Sequence, residues 1–293
     1  MDALPLEILR AMDALPARGA PAVTQLRCEE ADGGLYRVWK IESGGQTRLL
    51  KAAKEYEAEV YRTFLRGSRY APEIYAEQRV GGEDWLLMEY VDGHDLCRCT
   101  RGALMLALDA LISMQAAYWN DTAHAAEAYS FEKSLSGRRR RGEFLNDAVL
   151  EAGYEEFLRL YETLPRTLCH DDLLPFNVRV CPAQKRAVLI DWEFAGILPY
   201  PAPLARLLAY GEESADALFY MTEADRAFAA AYYYENLLRE RGVARDEWQR
   251  TLDSFLLYEY CEWVAIGNRS GETDGKYYRK YLPLALAQAR KLL

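Results

Sequence analysis

Three changes of hydrophobic period divide the chain. From Met1 to about Ala20, Leu6, Ile8, Leu9 and Met12 group partly on one face, which predicts a short helix. The pentapeptide MDALP occurs at Met1 and again at Met12, too short a match to imply a structural repeat. From Gln25 to Ala53 the pattern is that of strands. Leu35 to Ile41 is rich in branched and aromatic residues, Ser43-Gly44-Gly45-Gln46 is turn chemistry, and Arg48 to Lys51 supplies the next strand. A helix follows from about Glu55 to Leu65, with Val60, Tyr61, Phe64 and Leu65 at helical spacing. Another strand pair surrounds Gly81-Gly82 and ends in the apolar run Trp85 to Met88.

After Val91-Asp92-Gly93 helical spacing dominates: Thr100 to Trp119, Phe144 to Leu164, Ala202 to Gly211, Glu223 to Arg241, Asp246 to Ile266 and Lys276 to Leu293. One interruption, Thr167 to Asp191, reads as loop, strand (Val178 to Val180), turn (Pro182 to Gln184) and strand (Ala187 to Ile190). The expected class is α+β and two-lobed. A small β-rich lobe takes residues 1–91, a larger, mainly helical lobe takes 92–293, and the hinge lies near Glu89 to Gly93.

Composition narrows the class of protein. With 293 residues, 51% of them hydrophobic and 28% charged, the chain can bury a substantial core and does not look disordered. A formal net charge of −9 gives no reason to expect nucleic acid or an anionic membrane as partner, and is compatible with a cationic substrate. The first residues lack the basic and apolar regions of a signal peptide, and the most apolar stretch, Ala103 to Met114, is short and contains Asp109. The six cysteines follow no scaffold or zinc spacing, so reduced thiols in the cytoplasm are expected. No obligatory protein partner is evident.

The chemistry concentrates in H-x-D-x-x-x-x-N at His170, Asp172 and Asn177, followed by Asp191 at the end of an apolar strand. Phosphoryl transfer asks little covalent help of a protein. It needs the acceptor hydroxyl positioned and hard metal ions held against the phosphates. One carboxylate near the hydroxyl, with an amide oxygen and a second carboxylate for Mg²⁺, meets that need. Read without that chemistry, the same polar residues would cap turns between strands.

This segment resembles the catalytic loop of the aminoglycoside phosphotransferase and choline kinase group, relatives of the protein kinases. Val188 to Gly196, reading VLIDWEFAG, is similar to that group's metal-binding segment, especially in its choline-kinase-like members. The resemblance implies a protein-kinase-like two-lobed fold, ATP or GTP as donor, and Mg²⁺. It implies Asp172 as the base or hydroxyl-orienting carboxylate, Asn177 and Asp191 as Mg²⁺ ligands, and His170 as loop support through an internal hydrogen bond. Lys51 then matches the lysine that contacts the α and β phosphates. Its partner should be Glu57, which shares a helix face with Val60, Tyr61 and Phe64, while Glu59 points outward. Leu86 to Gly93 is similar to the family's hinge, where backbone groups of Glu89 and Val91 would meet the adenine edge with Met88 behind it. The turn Glu30 to Gly34 is no G-x-G-x-x-G. Pro203 stands where family members usually carry an aspartate that opens a helix and braces the catalytic loop.

The acceptor implied is the hydroxyl of a small cationic molecule, choline- or ethanolamine-like or aminoglycoside-like. Glu259, Glu262 and Trp263 are its candidate contacts, because ammonium groups are held by carboxylates and aromatic faces. The alternative function is a catalytically weak, kinase-like nucleotide-binding or regulatory module, supported by Pro203 and the poor phosphate turn. The run Arg138 to Arg141, between Gly137 and Gly142, could meet an anionic partner but reads more simply as a solvated loop. Tyr232-Tyr233-Tyr234 reads as core plus rim of a helix.

Overall fold

The computed structural model describes residues 3–16, 19–27 and 34–293, so the turn expected at Glu30 to Gly34 lies almost wholly outside the described residues. Strands β1 (Ala22–Arg27), β2 (Leu35–Ser43), β3 (Gln46–Ala52), β4 (Ile74–Val80) and β5 (Glu83–Glu89) form an antiparallel sheet in the order β1-β2-β3-β5-β4. Period two gives it two faces. Trp39, Ile41, Leu50, Trp85 and Leu87 pack beneath Ile8 and Leu9 of helix α1 (Ala3–Ala11). Leu86 and Met88 face the other way and join the core of the helical part. Lys51 alternates with the buried Leu50 and Ala52 and pairs with Leu86 across the ladder, which sends its side chain to that inner face.

The expected helix from Glu55 is shorter and irregular. It is α2 (Glu57–Val60) continued by a π-helical turn, Tyr61–Leu65. Past the hinge come α3 (Arg101–Ala117), α4 (Phe131–Gly142), α5 (Ala148–Thr163), β6 (Arg166–Cys169), β7 (Val178–Cys181), β8 (Arg186–Leu189), β9 (Gly196–Pro199), α6 (Ala202–Ala209), α7 (Glu223–Tyr233), α8 (Arg245–Ser270) and α9 (Lys276–Leu292). The structure corrects the sequence reading at three places. Residues 138–141 belong to a helix, not a solvated loop. Thr167 lies in a strand that pairs with β9. Beyond Tyr233 the helix widens into a π-helical turn, Tyr234–Leu238, and ends in a 3-10 turn, Arg239–Arg241. Pairing between β6 and β9 links segments about thirty residues apart, which local periodicity cannot reveal.

The hinge is stitched to the β7–β8 hairpin. Val91 packs on Cys181 and Val188, and His94 exchanges backbone hydrogen bonds with Val180 at 3.1 and 2.7 Å. Gly93 is required there, because a Cβ on it would stand 2.5 Å from the Val180 carbonyl oxygen. Among the described residues no helix is long and apolar enough to cross a membrane.

Candidate active site

The loop carrying His170, Asp172 and Asn177 begins where β6 ends. His170 is buried, its Nε2–H donates to the Ile190 carbonyl at 2.8 Å, and its ring lies 4.5 Å from that of Trp192. Burial lowers its pKa, so the imidazole is neutral and ties the loop to the end of β8. Asp171 and Asp191 both occupy the left-handed region, at φ 55° and 68°, where aspartate is tolerated better than most residues. Two bonds converge on the Asp172 carbonyl: Leu174 N–H at 2.9 Å and Asn177 Nδ2 at 2.9 Å. The second uses the amide's donor end and leaves the Asn177 side-chain oxygen as the end available to a cation.

On the sheet side, Lys51 Nζ lies 2.7 Å from Glu57 Oε1 and 2.5 Å from Asp191 Oδ1. One ammonium therefore joins β3, α2 and Asp191, two residues past β8. Burial alone would lower its pKa, but the two carboxylates outweigh burial and hold it above the usual lysine range. Burial likewise opposes ionisation of Asp191, and Lys51 overcomes it, so the carboxyl is held below its ordinary value. Glu57 goes the other way, because it is fully buried and desolvation dominates. Glu59 instead accepts from Ala128 N–H at 2.6 Å.

Glu89 ends β5 and Val91 lies two residues beyond it. Glu89 N–H donates to Glu73 O at 2.8 Å and its carboxylate pairs with Arg186 of β8, while the Val91 side chain is buried against the hairpin. Asn177 and Asp191 are joined through backbone, Ile190 N–H to Asn177 O at 2.9 Å. Among the described residues no three His, Cys, Asp or Glu side chains cluster as a metal site of their own. An amide oxygen and a carboxylate are nevertheless the hard donors that Mg²⁺ takes when most of its remaining ligands are water and phosphate.

Beyond Asp172 the structure holds residues the sequence reading missed. Arg206 of α6 donates from Nε to Asp172 Oδ1 at 3.0 Å, and its Nη2 lies 2.9 Å from the same oxygen in an ion pair. Its Nη1 donates to Tyr210 Oη at 2.9 Å, Glu259 Oε2 at 2.8 Å and Glu262 Oε2 at 2.5 Å. Arg141 reaches Glu262 Oε1 at 3.0 Å, and Arg138 reaches Asp171 Oδ1 at 2.6 Å. The Tyr258 ring carries the guanidinium groups of Arg138 and Arg141, at 4.7 and 4.4 Å. Glu259 and Glu262 are thus brought to within one arginine of Asp172. Trp263 stacks on Tyr277 with ring centroids 4.3 Å apart and reaches this cluster through rings alone, lying 6.3 Å from Tyr281, which is 5.4 Å from Tyr210. A signal for Arg206 did exist in the sequence: it is the one charged residue in the apolar helix APLARLLA. Arg138 recurs at helical spacing with Phe131, Ser134 and Leu135, all buried.

Solved structures with this architecture include an ethanolamine kinase from Plasmodium vivax, with TM-score 0.62 and 14% identity over 93% of this chain and 84% of that one. An aminoglycoside phosphotransferase from Alicyclobacillus acidocaldarius gives 0.54 and 15%, covering 91% and 92%. The aminoglycoside phosphotransferase APH(3'')-Id from Streptomyces rimosus, solved with ADP and streptomycin, gives 0.52 and 18%, covering 87% and 99%. These identities show a shared protein-kinase-like fold. No curated protein matches the chain by sequence. The APH profile, described as a phosphotransferase enzyme family, matches residues 37–246, a span that runs from the strand before Lys51 through the catalytic loop and Arg206. Covering well over half of the 293 residues, that match makes the chain a member of the phosphotransferase enzyme family.

Proposed function

We propose that the protein transfers the γ-phosphoryl group of ATP or GTP to a hydroxyl of a small cationic molecule, of the choline, ethanolamine or aminoglycoside kind. The observation that carries this reading is the Lys51 ammonium held between buried Glu57 and Asp191, with the Asp191 segment bonded through Ile190 N–H to the loop bearing Asp172 and Asn177. Residues 1–91 act as the nucleotide lobe, with the backbone of Glu89 and Val91 toward the base and Lys51 toward the α and β phosphates. Residues 92–293 carry the catalytic loop and the acceptor site. Asp172 orients the acceptor hydroxyl and takes up its proton. Asn177 and Asp191 would hold Mg²⁺, which when bound neutralises charge on the phosphate oxygens.

Charge supports a cationic acceptor. Asp172, Glu259 and Glu262 face Arg206 and Arg141, three carboxylates against two guanidinium groups, and an acceptor ammonium would balance the remainder. The expected aromatic contact is Trp263, stacked with Tyr277 and Tyr281, while the nearby Tyr258 ring carries two arginines. Cys99, Cys169, Cys181 and Cys261 are free thiols, which supports a reducing, cytoplasmic setting.

The test is ADP or GDP release from Mg-ATP and Mg-GTP with choline, ethanolamine and streptomycin as acceptors. Turnover with one of them, lowered about 10²–10⁴-fold in Asp172→Ala, is the expected result. Turnover with none, or turnover indifferent to Asp172→Ala, sinks the reading. A second reading, a nucleotide-binding module without turnover, draws on Arg206 engaging the Asp172 carboxylate. It predicts a Mg-ATP thermal shift with no product formed.

A further inference from the structure

Pro203 poses a structural question that Arg206 answers. Helix α6 opens with Pro201 at its N-cap and Pro203 in its first turn, and no side chain caps it, so the helix start offers no polar side chain to the loop. One turn further along the same helix, Arg206 offers a guanidinium. Its side chain is only 16% exposed, yet it has polar partners on three segments: Asp172 of the loop, Tyr210 just after α6, and Glu259 and Glu262 of α8. A guanidinium buried this far is costly unless its fork of donors is matched by acceptors, and here three carboxylates and a phenol oxygen match it. Such matching leaves the group little freedom to move.

Both contacts to the loop converge on one atom, Asp172 Oδ1. That fixes the rotation of the carboxylate and turns Oδ2 away from the guanidinium. The Asp172 carboxylate remains about a quarter exposed (26%), so it is held rather than covered. Glu259 and Glu262 bear on Asp172 through Arg206, since both bind the one nitrogen, Nη1, that does not touch Asp172.

We propose that Arg206 is the positioning residue of the catalytic loop: anchored by Glu259 and Glu262, it orients Asp172 with one oxygen free for the acceptor hydroxyl and replaces from α6 the brace that Pro203 cannot supply. This rests on Asp172 being the hydroxyl-orienting carboxylate. In this arrangement Glu262 acts on the rate through Arg206 and not only on acceptor binding.

The experiment compares wild type, Arg206→Lys, Arg206→Gln, Glu262→Gln and the double variant Arg206→Gln/Glu262→Gln. The readouts are kcat and KM for Mg-ATP and for ethanolamine, and hydrogen exchange at the Leu174 and Asn177 amides, which close the loop. Expected is a kcat loss of about 10- to 100-fold in Arg206→Gln, the scale of a misplaced catalytic group, with KM for Mg-ATP within about twofold of wild type. Arg206→Lys should recover part of the loss. The double variant should be no slower than Arg206→Gln alone, because Glu262 has lost the group through which it acts, while Arg206→Lys keeps a positive charge among the three carboxylates and guards against misfolding caused by unpaired charge. The inference is overturned if Arg206→Gln keeps wild-type kcat, or if the losses in Arg206→Gln and Glu262→Gln simply multiply. If wild type turns over neither ethanolamine nor water, the functional reading fails for this acceptor and the brace is judged by exchange. Faster exchange at Leu174 and Asn177 in Arg206→Gln upholds the brace, and unchanged exchange overturns it.

Discussion

Arg138 donates to Asp171 across 2.6 Å, from the middle of α4 to the residue immediately before Asp172. Both side chains are nearly inaccessible, at 4% and 9% exposure, and the guanidinium lies over the rings of Tyr161 and Tyr258 at 4.5 and 4.7 Å. The loop from His170 to Asn177 is therefore held from two helices by two arginines, one on each of two successive aspartates. Asp171 adopts φ 55°, and its ion pair helps keep a non-glycine residue in that conformation.

Removing one member of a buried pair exposes the cost of burying the other. Arg138→Met should destabilise the protein by about 3–5 kcal/mol, because Asp171 would keep its charge without a partner. Arg138→Met combined with Asp171→Asn should lose clearly less, since the orphaned charge is gone and asparagine tolerates the left-handed region. Urea denaturation at neutral pH measures both. A double variant as unstable as the single would mean that the lost ring packing, not the ion pair, dominates.

Lys51 is the cationic centre on the sheet side of the site. Lys51→Met should lower kcat by about 10²–10³-fold, the range for loss of one preorganised electrostatic contact. Glu57→Gln should cost less, because a neutral amide still accepts from Lys51 and Asp191 still engages it. Steady-state ADP release with the acceptor that wild type uses checks the order. Glu57→Gln falling as far as Lys51→Met would assign Glu57 a part beyond orienting the lysine.

What the sequence disclosed and what it concealed follow one physical division. Period-two runs such as Leu35 to Ile41 and the Gly81-Gly82 turn state their structure locally, and so did the spacing that set Glu57 inward and Glu59 apart. The loop spacing placed His170, Asp172, Asn177 and Asp191 together for the same reason. Helix α4 was hidden because its composition is polar, and only Phe131, Ser134, Leu135 and Arg138 are buried. Arg138 is compensated by Asp171, thirty-three residues away, and Arg206 by Glu259 and Glu262, more than fifty residues away. A buried charge looks like a surface charge until its partner is known, and such partners come from the tertiary fold.

Glu259 and Glu262 share one guanidinium yet should respond oppositely to pH. Burial disfavours the Glu262 carboxylate, but Arg206 and Arg141 attract it, and hydrogen bonds from Arg206 and Tyr210 help bring its pKa down to about 2. For Glu259 burial prevails and its pKa rises. A carboxyl with a folded pKa below its unfolded value of about 4.3 adds stability that is fully present above that pH and lost as pH falls toward 2. From its shift the Glu262 contribution is on the order of 2–3 kcal/mol, reduced somewhat by its partial exposure. Glu259 has the reverse sign: its contribution is present below about 4.3 and lost as pH rises through its raised folded value. Glu262→Gln should therefore flatten the rise of stability between pH 3 and 5, and Glu259→Gln should steepen the rise just above it. Urea midpoints for wild type and the two variants across pH 3 to 7 test this directly. Parallel curves for all three would mean that the shared arginine does not separate the two carboxylates.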